Sequence, residues 1–407
     1  MDINAKQEIQ ELRMKKRILA STLLLIGLVI PGCKAPVKIE EKISYDRPLP
    51  PGQLALRKIT NPAEIPDFTM ACLDLAELRA AIDHSLNYLR KPSSQQFYPL
   101  GEITHAQAME SLEAFAKLLD SGLAGAQLNQ TIREKFDVYI SIGCDDHGTV
   151  LFTGYYTPIF DGSFTRTDRF QYPLYQQPED LVKDSRGEIR GRRMPDGQII
   201  PYPPRAVIEG AGMLQGKELA WLGDPFEVYI AHVQGSAKLK LPDGKLATVG
   251  YAANNGHEYK SVAQELVKDG RIPPDQISLA AMIDYFKKNR DQVSTYVRRN
   301  ARFVFFRKEE GQPLGCLNEP VTAYRSIATD KSIFPRASLA FITTTLPRAV
   351  GGQPIKQLYS GFALDQDAGG AIRAPGRCDV YMGQGDLAGQ LAGHTYQEGR
   401  LYYLFLK

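Results

Sequence analysis

The sequence predicts a mainly β protein with helices, in which a smaller β domain is inserted into a larger one that ends in a closed barrel. Three patterns carry that expectation. Across the last hundred residues, short β-branched and aromatic runs are separated by Gly and Pro, the spacing of a closed barrel. From about 155 to 255 the chain is also mostly β, and rich in Tyr and Pro. Helical periodicity flanks that block on both sides, which makes it an insert rather than an end domain.

Taken in order, the chain opens on a leader. Met14-Lys-Lys-Arg17 precedes an apolar run from Ile18 to Ile30 that ends Ile30-Pro-Gly-Cys33. A basic start, a short apolar core and a small residue before a cysteine make an export signal, too short for a comfortable membrane span. Residues 1–13 are polar and charged, so Met14 is the expected initiator. The ending resembles a bacterial lipobox, with Cys33 as the lipid attachment site, although Pro31 departs from the usual residue there. Lys34 stands where an inner-membrane retention Asp would be, so the expected location is the outer membrane, lipid-anchored and facing the periplasm. Residues 34–60, rich in Pro and charge, read as a flexible tether.

A helical region follows. Leu75, Leu78, Ile82, Leu86 and Leu89 form one apolar stripe behind Asp74. Thr104 and Gln107 make a capping box before Met109, Leu112, Phe115 and Leu119, and Gly122 ends that helix. From Asp137 the period becomes that of strands: 138–142, 151–157, 171–175 and 226–232, then a hairpin from Ala237 to Tyr251 around Pro242-Asp-Gly244. Ser261 starts another helix that Gly270 stops, and 278–289 and 293–299 supply two more. Six strands close the chain: 303–306, 321–324, 339–343, 357–364, 378–382 and 401–405. The expected division is thus 1–33 leader, 34–60 tether, 61–154 with 256–407 as the large domain, and 155–255 as the insert.

Composition narrows the chemistry. Of 407 residues, 43% are hydrophobic, ample for more than one domain, and a net charge of +3 gives no reason to expect nucleic acid. The six histidines are scattered without a chelating pair, and no nucleophile elbow or phosphate-binding loop is present, so neither metal nor cofactor is expected. Cys72, Cys144, Cys316 and Cys378 could form two disulfides in an oxidising compartment. What remains is carboxylate chemistry, and glycosidic cleavage is a reaction for which carboxylates suffice.

The candidate carboxylates lie in Asp365-Gln-Asp367-Ala-Gly-Gly-Ala-Ile-Arg373 and Arg377-Cys-Asp379-Val-Tyr381-Met382. Strand alternation puts Asp379 and Tyr381 on one face, with Cys378, Val380 and Met382 on the other. Asp beside Gly also caps turns, so local pattern alone leaves both roles open. Asp365 and Asp386 read as loop residues.

Three blocks together resemble the membrane-bound lytic murein transglycosylase A family. They are Phe152-Thr-Gly-Tyr-Tyr-Thr-Pro158 with Gln171-Tyr-Pro-Leu-Tyr175; Val233-Gln-Gly-Ser236, Val249 to Tyr259 and Phe303-Val-Phe-Phe-Arg307; and Tyr324 to Ile333, Asp367 to Arg373, Asp379-Val-Tyr-Met-Gly383 and Ala392-Gly-His394. The resemblance implies a double-psi β-barrel in the large domain, a smaller inserted barrel, and a groove between them for a glycan strand. It implies cleavage of the β-1,4 bond between N-acetylmuramic acid and N-acetylglucosamine in peptidoglycan, leaving 1,6-anhydromuramic acid ends. By motif position the catalytic acid falls on Asp379. Asp367, Thr153, Gly154 and Tyr155 fall on glycan-contacting positions. Arg307 stands where the family's best-known member has lysine, which keeps the charge but presents a planar fork. Glycan strands, outer-membrane lipid through Cys33 and other cell-wall enzymes are the implied partners. Two rival readings stand beside this one: a hydrolase using Asp367 and Asp379 as a pair, and a non-catalytic, expansin-like polysaccharide-binding lipoprotein.

Overall fold

The computed structural model describes residues 44–407; the leader, Cys33 and residues 34–43 of the expected tether lie outside the described residues. The rest of that tether is docked against the body. Strand β1 (Leu56–Lys58) pairs antiparallel with β2 (Phe136–Ser141), and Ala55 and Ile59 are buried on either side of it.

Between those strands lie helices α1 (Leu78–Leu89), α2 (His105–Asp120) and α3 (Gly125–Lys135), and β3 (Val150–Thr157) follows β2. The capping signal at Thr104 holds: its hydroxyl accepts from the Gln107 amide at 3.1 Å. The next strands are β4 (Ile159–Ser163), β5 (Tyr172–Tyr175), β6 (Leu181–Lys183), β7 (Ile189–Arg193) and β8 (Ile199–Ile200). Then come α4 (Arg205–Gly210), β9 (Glu218–Leu222), α5 (Pro225–Gln234), β10 (Ala237–Lys240) and β11 (Leu246–Asn254). Helices α6 (Val262–Lys268), α7 (Leu279–Lys288) and α8 (Val293–Val297) lead to β12 (Val304–Glu309). The chain finishes with β13 (Ser326–Ala328), β14 (Leu339–Val350), β15 (Gln353–Asp367), β16 (Arg377–Gln384), α9 (Gly385–Gly393) and β17 (Tyr396–Leu406).

Six strands close on themselves in the order β17-β14-β15-β13-β16-β3, because β3 pairs again with β17; β2 and β1 continue outward from β17. Closure leaves no free edge along this ring. Two pairs within it are parallel, β3 with β16 and β13 with β15. Helices cover the β14–β15 side, where the Phe115 ring of α2 meets Phe362 at 5.0 Å. Arg325, almost wholly buried, ties the same side down by donating to the Asp74 and Ala76 carbonyls and to the Asp74 carboxylate, each at 2.9 Å.

A second sheet runs β12-β11-β10-β4-β9-β5, and a bridge between Gln176 and Phe306 joins its two ends. Its own core comprises Leu174, Leu222, Leu239, Val249 and Phe306 among others. The expected return to the large domain at 256 leaves out β12, which pairs with β11 from Val304 to Glu309 and so keeps the chain in the second sheet to that point.

Three expectations need correction. Residues 226–232 form helix α5, not a strand: the Asp224 carboxylate accepts from the Phe226 amide at 2.7 Å and Pro225 occupies the first turn, which outweighs the β-branched composition. The six-strand ring exists, but 303–306 belongs to the second sheet and 321–324 ends in a turn with Tyr324 at φ 60°; β3 and the short β13 take those places. Finally, Cys72, Cys144, Cys316 and Cys378 are all free thiols.

Ring closure depends on β17 serving two partners, β14 at 400–403 and β3 at 396–399. At the switch a Cβ on Gly399 would meet the Thr343 carbonyl oxygen at 2.2 Å. Gly399→Ala is therefore expected to destabilise by about 1–3 kcal/mol, the usual range for overpacking, and to lower the thermal midpoint followed by circular dichroism. An unchanged midpoint would mean that the closure has slack.

Candidate active site

Register places the site. Thr153 on β3 pairs with Asp379 on β16, Asp379 with Ala328 on β13, and Ala328 with Asp367 on β15. Directly opposed residues share a face, so these four side chains form one row across four strands. Two strand spacings of about 4.8 Å separate Asp379 from Asp367, and only the methyl group of Ala328 lies between them. The alternation read from sequence holds: Cys378, Val380 and Met382 enter the main core from the opposite face of β16.

The two carboxyl groups have different surroundings. Asp367 Oδ1 accepts from the Cys316 amide at 2.9 Å and from the Ala368 amide at 2.8 Å. Burial raises its pKa, and those amides, Tyr155 and Lys331 act against the rise. Asp379 Oδ1 is enclosed and has no hydrogen-bond partner among the described residues. Burial pushes the Asp379 pKa up to about 7; the Asp367 charge adds to the rise, while Arg377 and Thr153 oppose it. The residue keeps partial exposure, which leaves the carboxyl reachable and tempers the shift without reversing it. Arg377 is largely engaged elsewhere, donating to Asp46 at 3.0 Å.

Thr153 Oγ1 and Tyr155 OH are likewise enclosed without a partner of good geometry, although each lies close enough to a carboxyl group to influence it. Three polar atoms from adjacent strands thus stand unsatisfied on one face, where a polar ligand could complete them. The Tyr155 ring packs on Tyr381 at 5.1 Å, and Tyr381 OH bonds Thr157 Oγ1 at 2.9 Å. Thr157 Oγ1 in turn lies 3.4 Å from Ser236 Oγ, just before β10, and the Tyr156 amide donates to Gln234 Oε1 at 3.1 Å. The first two sequence blocks therefore meet where the ring and the second sheet join.

Gly154 does not share this face. A Cβ there would meet Ala392 Cα at 2.8 Å and the Thr395 side chain, so its role is the close approach of α9 and the chain beyond it to β3. Arg307, half exposed on β12, donates to Asn318 Oδ1 and, at 3.2 Å, to Glu309 Oε1. Asn318 belongs to the loop whose Cys316 amide holds Asp367, so Arg307 reaches the row through that loop. Sequence reasoning missed Glu309, Asn318, Thr157 and Ser236; the last two sit in blocks already singled out, while nothing local marks the first two. Asp386 lies in the first turn of α9, and Asp365 is wholly buried on β15 rather than in a loop. Among the described residues no three His, Cys, Asp or Glu side chains gather to hold a metal ion, and no helix is long and apolar enough to cross a membrane.

A carboxyl group that stays protonated near neutrality can donate its proton to a leaving oxygen and afterwards take one back. Comparison with known proteins gives that chemistry a context. Residues 151–307 match the MltA specific insert domain, and residues 325–405 match the 3D domain. Membrane-bound lytic murein transglycosylase A of Escherichia coli K12 is 30% identical over 284 residues, 69% of this chain and 72% of the relative. The protein of that name from Vibrio cholerae is 29% identical over 316 residues, 76% of each chain. Among solved structures, the membrane-bound lytic murein transglycosylase from Agrobacterium tumefaciens superposes with a TM-score of 0.72 at 27% identity, covering 87% of this chain and 98% of that one. Escherichia coli MltA with bound chitohexaose gives 0.62 at 26%, covering 80% and 89%. This chain belongs to the membrane-bound lytic murein transglycosylase A family.

Proposed function

We propose that this chain cleaves the β-1,4 bond between N-acetylmuramic acid and N-acetylglucosamine in peptidoglycan, with Asp379 as its single acid and base. The relatives' names carry the lytic transglycosylase activity, and the relative solved with chitohexaose supports a glycan strand as ligand. The observation that supports the role of Asp379 is its enclosed, unpartnered carboxyl oxygen and the raised pKa that follows from burial.

Asp379 gives its proton to the glycosidic oxygen as the bond to C1 of the muramic acid breaks and positive charge develops there. The carboxylate so formed takes the proton of that sugar's own C6 hydroxyl, whose oxygen bonds to C1. The product is the 1,6-anhydro ring, and Asp379 ends protonated as it began. An internal nucleophile removes the need to position a water. Asp367, Thr153 and Tyr155 orient the sugar beside Asp379, and Arg307 holds an acetamido or lactyl oxygen. A protein anchored by a lipid on Cys33 would present this face to the sacculus from the outer membrane; the leader, ending in a lipobox-like Cys33, supports that placement.

Digestion of purified sacculi followed by mass spectrometry tests the reaction: anhydro-muropeptides are expected, and reducing ends throughout would point to hydrolysis by the Asp367–Asp379 pair. Asp379→Asn should bind sacculi normally but release soluble fragments about 10²–10⁴-fold more slowly, the usual contribution of a positioned acid. Because the protonated form is the acid, activity should fall as pH rises through about 7, and Asp367→Asn, which removes a neighbouring negative charge, should move that fall to lower pH.

The substitution that removes the acid should raise stability while it lowers activity. An unfolded Asp ionises near pH 4, whereas folded Asp379 holds its proton to about 7. Between those values the native state binds the extra proton, so this group's contribution to stability declines as pH rises through the window and its penalty is complete above it. Asp379→Asn is therefore expected to melt higher than the wild type at pH 8, with a smaller difference at pH 5. Equal gaps at both pH values would show that Asp379 titrates as an ordinary carboxyl group.

A further inference from the structure

Along a regular strand Asp365 and Asp367 would point the same way. In β15 they do not. Ile327 pairs with Asp365 and the very next residue of β13, Ala328, pairs with Asp367, so Gln366 is an extra residue, a bulge. Asp365 therefore shares the face of Ile327 and Val380, inside the ring, while Asp367 joins Ala328 and Asp379 on the other.

Both side chains at the bulge are wholly buried and tied down. Inside, Asp365 accepts from Thr329 Oγ1 at 2.8 Å and from Tyr403 OH at 2.7 Å, and pairs with Lys331. Outside, Gln366 Nε2 donates to the Ala81 carbonyl at 2.7 Å and to Ser85 Oγ at 3.0 Å, both on α1. Its Oε1 accepts from Ser326 Oγ at 2.6 Å. One carboxamide thus ties the extra residue to the covering helix and to β13 together.

We propose that Gln366 is a positioning residue for the reaction: its hydrogen bonds to α1 and Ser326 hold the β15 bulge that turns Asp367 out of the ring and into line with Asp379. A one-residue slip would reverse the facing of Asp367 and put a second carboxyl group beside Asp365 in the ring interior, with Asp379 deprived of its charged neighbour. The inference rests on the proposed roles of Asp379 and Asp367.

A double-mutant cycle on the full chain tests it, with initial release of anhydro-muropeptides from sacculi measured across pH. Gln366→Met keeps the volume and removes the hydrogen bonds. It should slow release by roughly the same factor as Asp367→Asn, move the alkaline fall to lower pH as that variant does, and add no further loss in the Asp367→Asn background. An equal fold-loss in both backgrounds, with the pH profile unmoved, would reduce Gln366 to a packing role. Ser85→Ala, a gentler change that deletes one of the bonds, should shift the profile in the same direction by less; a profile identical to wild type would count against the lock. A crystal structure of Gln366→Met separates this inference from the reading beneath it. Asp367 still paired with Ala328 and held by the Cys316 amide would overturn the lock whatever the kinetics, whereas full activity in Asp379→Asn would overturn the acid assignment alone.

Discussion

One carboxyl group with an enclosed, unpartnered oxygen sets the terms for everything around it. Asp379 sits in the wall of a closed ring of strands, so its backbone cannot shift to find a partner without breaking pairing on both sides, with Thr153 and with Ala328. Burial of a charge that nothing compensates is costly, and the group answers by holding its proton. The contrast with Asp367 is instructive. Two backbone amides meet that carboxylate, and it is the better solvated by protein of the two. Environment, rather than residue type, separates the two carboxyl groups.

The second sheet completes this arrangement. Tyr381 lies two residues beyond Asp379 and its hydroxyl leads through Thr157 to Ser236, next to β10. The face that carries the carboxyl groups is therefore bounded by hydroxyls and aromatic rings, surfaces suited to sugar hydroxyls and pyranose faces. Arg307 approaches from β12 and bears on the loop that holds Asp367, so the insert contributes to the row indirectly. The division of the chain into ring and insert thus has a chemical consequence: the Asp379 carboxyl group is on one, and part of the wall around it comes from the other.

What was legible in the sequence follows from how local each signal is. The facing of Asp379 and Tyr381 was readable because a regular strand alternates, and the Thr104 and Ser261 caps because side chain and amide are three residues apart. Helix α5 was misread because Phe226-Glu-Val-Tyr-Ile favours a strand by composition, while the deciding signal, Asp224-Pro225, lies just outside the run. The ring was foreseen but two of its members were not, since β3 joins it across more than two hundred residues of intervening chain. Asp365 reads as a loop residue in sequence because a bulge cannot be seen in a period-two pattern; only pairing with Ile327 and Ala328 reveals that neighbouring acids face opposite ways. The motif puts Gly154 at a glycan-contacting position, yet the need for glycine there comes from Ala392 and Thr395, far along the chain.

Direct titration of the acid is the most searching test. With aspartate labelled at the side-chain carbonyl carbon, and the Asp379 resonance assigned through Asp379→Asn, nuclear magnetic resonance can follow its protonation in the otherwise unaltered protein. The structure predicts a midpoint near 7. A midpoint near 4, the value of a solvated carboxyl group, would contradict the single-carboxyl account.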